Sequence, residues 1–112
     1  MDITSTRDGV VTVFSVAGAI DFATSKDVER AVNAAIDGGC KRMVFDLSQV
    51  GYVSSAGLRA LLMAAKKAKS VGGAAAVFGL QPSVEEVFTM AGFGKIVPIA
   101  SSGAQARDML GT

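Results

Sequence analysis

Residues 43–62, MVFDLSQVGYVSSAGLRALL, carry the reading that decides the fold. Met43, Val44 and Phe45 form a short apolar run that meets a carboxylate, Asp46. A polar loop follows, and a strongly amphipathic helix begins at Ser54 and Ser55. So apolar a run suits a strand at the centre of a sheet covered by helices. Serine at the helix start has two readings. Its hydroxyl is an ordinary N-cap acceptor for an orphan backbone N–H. The same place holds a phosphate well, because free N–H groups and the positive dipole end meet there. Ser55 is therefore either a cap or a switch.

Upstream, residues 3–7 read as a weak strand and Asp8-Gly9 as a hairpin turn. Residues 10–16, rich in Val and Phe, read as a second strand that Gly18 breaks. Residues 21–25 lead into a helix, with Thr24 or Ser25 expected as its cap. Val28, Ala31, Val32, Ala35 and Ile36 then form the stripe of a half-buried helix, stopped by Gly38-Gly39. Residues 42–47 are the next strand. Leu58, Leu61, Leu62, Ala65 and Ala68 are the expected core stripe of the following helix, with Arg59, Lys66, Lys67 and Lys69 facing water. Gly72-Gly73 ends it.

Downstream, residues 74–78 read as a fourth strand. Pro82-Ser83 opens a short helix through Val84, Val87, Phe88 and Ala91. Residues 96–100 read as a last strand and residues 103–110 as a last helix. Strands alternate with helices from the third strand on, which implies right-handed crossovers and parallel pairing. The expected fold class is α/β, in one domain spanning 1–112. Its sheet is mixed and mostly parallel, with an antiparallel N-terminal strand and helices packed against it.

The composition excludes several function classes. Half of the residues are hydrophobic and 19 % are charged, so the chain is globular and not disordered. The net charge is +1 and the largest basic cluster is Lys66, Lys67 and Lys69, which gives no footprint for nucleic acid. The single Cys40 excludes an internal disulfide and a cysteine-based zinc site. Residues 1–7 carry no apolar signal segment, and no apolar run approaches the ~20 residues of a membrane span. A cytoplasmic protein without membrane insertion is expected. Histidine is absent, which removes Ser–His–Asp and Cys–His devices and the commonest metal ligand.

Three motif resemblances fail on spacing. Gly92-Phe93-Gly94-Lys95 looks like a phosphate loop, but Thr89 stands where the first glycine belongs and Ile96 where Ser or Thr belongs. A dinucleotide fingerprint would need glycine in place of Val97. Ser55-Ala56-Gly57 looks like half of a nucleophile elbow, yet Val53 replaces its leading glycine and no histidine base exists. Asp21 and Asp46 are conceivable as an acid–base pair, but each lies at a strand-to-loop junction, where a capping or solvated aspartate is commonplace. No catalytic residue, metal or cofactor is expected, and the chain is read as not an enzyme.

Taken together with the strand order, the segment from Asp46 to Leu62 resembles the STAS family, and within it the anti-sigma-factor antagonists. The likeness covers nearly the whole chain. Its most specific part is the phosphorylation-loop motif, Asp-Ser-Ser/Thr-Gly-Leu, matched by Ser54-Ser55-Ala56-Gly57-Leu58 after Tyr52-Val53. Gly18-Ala19-Ile20-Asp21 is similar to the family's Gly-Glu-Leu-Asp segment, and residues 88–93 to its short helix and exit. Ser54 and Ala19 replace acidic residues of that pattern, which lowers the negative charge of the expected docking face.

The resemblance implies a non-enzymatic partner-switching module. Its partner is an anti-sigma factor that is also a serine kinase, and a serine phosphatase reverses the modification. The matching acceptor is Ser55, and the implied partner-binding residues are Asp21, Ser54, Ser55, Ala56 and Gly57. The sequence leaves the oligomeric state open between a monomer and a weak dimer. The alternative is a STAS-like structural subunit of a lipid-transport complex or larger sensory assembly, in which Ser55 is only a cap and no phosphorylation occurs.

Overall fold

The computed structural model describes residues 1–110; Gly111 and Thr112, the end of the expected 1–112 domain, lie outside the described residues. Two strands open the chain, β1 (Asp2–Asp8) and β2 (Val11–Ala17), paired antiparallel through the turn at Gly9. Then come α1 (Phe22–Asp37), β3 (Arg42–Gln49), α2 (Ser55–Ser70), β4 (Ala74–Phe78) and α3 (Pro82–Met90). A single 3-10 turn (Phe93–Lys95), β5 (Ile99–Ala100) and α4 (Gly103–Met109) complete it. The five strands lie in sequence order in one sheet, β1-β2-β3-β4-β5. The pairs β2–β3, β3–β4 and β4–β5 are parallel. This is the mixed, mostly parallel sheet expected from the alternation of strands and helices.

Sequential strand order with crossovers of one hand places successive helices on one face. The main core lies there. Phe14, Met43, Phe45, Leu47 and Val77 from the strands meet Val28 and Val32 of α1, Leu61 and Ala65 of α2, and Val84 and Phe88 of α3. Phe14 and Phe45 stack across neighbouring strands with ring centroids 5.0 Å apart. Side chains alternate across a strand. The intervening positions Val11, Val44 and Ala76 therefore build a smaller cluster on the other face, with Ala106 of α4 and Leu110.

Four local expectations change. The cap of α1 is Asp21, not Thr24 or Ser25, because the carboxylate reaches the Thr24 N–H while Thr24 bonds back to the Asp21 backbone. The buried stripe of α2 is made mostly of small residues, Gly57, Ala60, Ala64, Ala65 and Ala68, around Leu61; Leu58 and Leu62 are half-buried. Small side chains let α2 lie close to α1 and β4, the elements it packs against most. The short α3 buries only Val84 and Phe88, leaving Val87 exposed, and Ala91 is its cap. The last strand is only Ile99–Ala100, because the 3-10 turn takes Phe93–Lys95 and Pro98 has no N–H to give to a ladder.

Candidate functional site at the start of the second helix

The two loops that carry the expected site residues meet at one end of the sheet. Parallel pairing of β2 and β3 sends both strands out of the sheet on the same side. Beyond their ends a further parallel bridge joins Ile20 to Val53. The Ile20 N–H donates to the Tyr52 carbonyl at 2.9 Å, and the Ser54 N–H donates to the Ile20 carbonyl at 2.9 Å. Backbone pairing therefore fixes residues 18–21 against residues 50–54, and Asp21 lies beside Ser54 and Ser55, as the topology predicts.

Gly57 sets how closely they approach. A Cβ there would stand 2.2 Å from the Ile20 carbonyl oxygen and 2.8 Å from the Ile20 side chain. Only glycine lets the first turn of α2 press on that loop. Its place in the Ser54-Ser55-Ala56-Gly57 run is thus a packing requirement as well as a motif position.

The adjacent serines have different jobs. The N-cap of α2 is Ser54, whose hydroxyl accepts from the Gly57 N–H at 3.2 Å. Ser55 is the first helical residue, is exposed, and its hydroxyl takes no hydrogen-bond partner among the described residues. The reading of Ser55 as a cap is corrected: one residue must have extended backbone angles for its side chain to turn back onto the helix, and that residue is Ser54. Ala56 is half-buried beside it.

Asp21 caps α1. Its carboxylate accepts from the Thr24 N–H at 3.0 Å, and the Thr24 hydroxyl accepts from the Asp21 N–H at 2.9 Å. The Thr24 hydroxyl also donates to the Ala19 carbonyl at 2.8 Å. The Thr24 N–H, and after it the Thr24 side chain, hold the Asp21 carboxyl below the usual aspartate range. Asp46, the other half of the conceivable acid–base pair, lies on the opposite sheet face from Phe45 and Leu47 and accepts from the Ser48 N–H at 3.0 Å. The two carboxylates thus serve separate local bonds.

Large apolar side chains are exposed on the two elements that meet here. Phe22 is 70 % exposed and Tyr52 57 % exposed. Phe22 and Met63 line a shallow cleft between α1 and α2, together with Lys26, Glu29, Ala56 and Arg59. Lys26 Nζ sits 5.4 Å above the Phe22 ring. Sequence reasoning missed Phe22 and Met63, because a single exposed apolar residue on an amphipathic helix carries no signal of its own. Together they expose apolar surface along the cleft between α1 and α2. No helix among the described residues is long and apolar enough to cross a membrane.

Known proteins share this fold. The chain is 38 % identical over 95 residues to BtrV of Bordetella bronchiseptica, named as an anti-sigma factor antagonist, covering 85 % of this chain and 81 % of that protein. It is 30 % identical over 97 residues to an anti-sigma F factor antagonist of Paenibacillus polymyxa, covering 86 % and 83 %. The crystal structure of an anti-sigma factor antagonist from Mycobacterium paratuberculosis superposes with a TM-score of 0.88 at 24 % identity, covering 99 % and 94 %. The phosphorylated form of the Bacillus cell fate determinant SpoIIAA superposes with a TM-score of 0.73 at 17 % identity, covering 96 % and 98 %. The family model for the STAS domain matches residues 3–106, and with this strand order and this loop–helix junction the chain belongs to the STAS domain family.

Proposed function

We propose that this protein is an anti-sigma factor antagonist of the cytoplasm, a partner-switching module that catalyses nothing itself. It binds an anti-sigma factor with serine-kinase activity through Asp21, Ser54, Ser55, Ala56 and Gly57, with Phe22, Tyr52 and Met63 around them. The kinase transfers the terminal phosphoryl group of ATP to Ser55 Oγ. The new P–O bond forms as the phosphoanhydride bond breaks, and the hydroxyl proton passes to a base of the kinase. Phosphorylation releases the domain, and a serine phosphatase restores it by hydrolysis.

The observation that carries this reading is the division of labour at the helix start. Ser54 caps, so Ser55 is left exposed with its hydroxyl unbonded. The structural-subunit alternative gives Ser55 the work of a cap, and Ser54 already does it. The named function of BtrV and the phosphorylated form of SpoIIAA support the same reading. A phosphate adds about −1.5 to −2 charges and three acceptor oxygens. At a helix N-terminus the fold tolerates it, while an apolar interface pressed against it does not. A loss of about 3 kcal/mol in binding is a factor of more than a hundred.

Intact mass after incubation with candidate kinases and ATP tests the proposal. One added phosphoryl group is expected on the wild type and on Ser54→Ala, and none on Ser55→Ala. Phosphate on Ser54 would shift the register by one residue. No incorporation under any condition, with Ser55→Ala and Ser55→Asp binding the kinase as wild type does, would leave the subunit reading in possession.

A further inference from the structure

We propose that Arg59 is the counter-ion for a phosphate on Ser55, so that modification closes an ion pair inside the domain and withdraws this guanidinium from the docking surface. The inference rests on the phospho-switch reading and adds how the charge is held.

Ser55 and Arg59 are both exposed on α2, four residues apart. Residues at that spacing are neighbours on a helix surface, about 5–6 Å apart at Cβ. Helical side chains lean towards the N-terminus, so Arg59 covers the turn that bears Ser55. The more favourable order of such pairs has the anion N-terminal to the cation, which is the order here. Among the described residues Arg59 makes no ion pair or hydrogen bond.

The groups facing Arg59 leave it available. Glu29 lines the same cleft from α1, yet no ion pair joins the two. Asp21 is engaged by Thr24. Lys26 is placed over the Phe22 ring. Lys66, Lys67 and Lys69 lie about two turns or more further along α2, beyond reach of Ser55. A phosphate dianion attracts a guanidinium more strongly than the single charge of Glu29 does, and it fits the planar fork of donors in two-point geometry. A cationic spot beside Ser55 then becomes a net anionic one while the backbone stays where it is. The sign of the surface presented to the partner is reversed without a conformational change.

The test uses the full chain with phosphoserine installed at position 55 during synthesis, so that no kinase or partner is needed. Phosphorus NMR follows the second ionisation of the phosphate, ordinarily near pH 6. In the wild-type background it should lie below that value, and Arg59→Gln should raise it by roughly half a pH unit. The Lys67→Gln control should leave it unmoved, and about 0.5 M salt should shrink the difference between wild type and Arg59→Gln. Unmodified Arg59→Gln should keep the wild-type denaturation midpoint, which separates ion pairing from a structural effect. Superimposable titrations of wild type and Arg59→Gln would overturn the inference while leaving the switch intact. Failure of any kinase to label Ser55 would remove the switch whatever the titration shows.

Discussion

At the scale of single residues, position in the first turn separates two chemically identical serines. The extended backbone of Ser54 turns its hydroxyl onto the Gly57 N–H, whereas Ser55 is helical and points its hydroxyl to water. Ser54→Ala should therefore cost about 0.5–2 kcal/mol of stability, and Ser55→Ala less than about 0.5 kcal/mol. Urea denaturation checks this, and the reverse order would make Ser55 the cap. Ser55→Asp adds one charge where the helix dipole favours it, so the fold should survive. A flat group with one charge should weaken partner binding only in part. Asp21 has a pH signature. Its carboxyl ionises more readily folded than unfolded, because the Thr24 N–H bonds the charged form. The stabilisation is complete at neutral pH, above the unfolded ionisation, and disappears as pH falls through the lower folded one. Asp21→Asn should flatten this acid limb in denaturation measured between about pH 2 and pH 6. An unchanged limb would show that the Thr24 bond contributes nothing.

At the scale of elements, the first turn of α2 and the loop before α1 act as one piece. Alanine in place of glycine inside a helix ordinarily gains about 1 kcal/mol. At Gly57 the added Cβ would stand 2.2 Å from the Ile20 carbonyl oxygen, far inside contact distance. Forcing an atom into such a place costs about 1–3 kcal/mol, so the clash outweighs the propensity and Gly57→Ala should lower stability. Thermal denaturation reads the sign directly. A gain would mean that α2 does not press on the Ile20 loop. The lead-in to α1 shows why its cap was misplaced from sequence. Asp21, Thr24 and Ser25 are all good capping residues, and only the backbone path through the Ile20–Val53 bridge decides which one turns first.

At the scale of the whole molecule, the larger core, on the sheet face covered by α1, α2 and α3, joins these elements. Leu61 is 1 % exposed within it, among residues from the strands, α1 and α3. Leu61→Ala should cost ~2–5 kcal/mol as a large-to-small change in a close-packed interior. A loss under about 1 kcal/mol would mean that this site collapses freely around the smaller side chain. Local sequence sufficed for the α/β class, the order of strands and helices, the parallel crossovers and the place of the serines at a helix start. Those follow from local periodicity and from glycine and proline punctuation, which act over a few residues. Of the α2 stripe read from the sequence, Leu61, Ala65 and Ala68 are buried, whereas Leu58 and Leu62 are half-buried and Gly57, Ala60 and Ala64 complete the close contact. Only the folded chain shows that Ser54 and not Ser55 is the cap and that Phe22 and Met63 line one cleft between α1 and α2. The physical reason is common to both. Each depends on where a segment distant in sequence comes to rest, and neither residue type nor spacing records that distance.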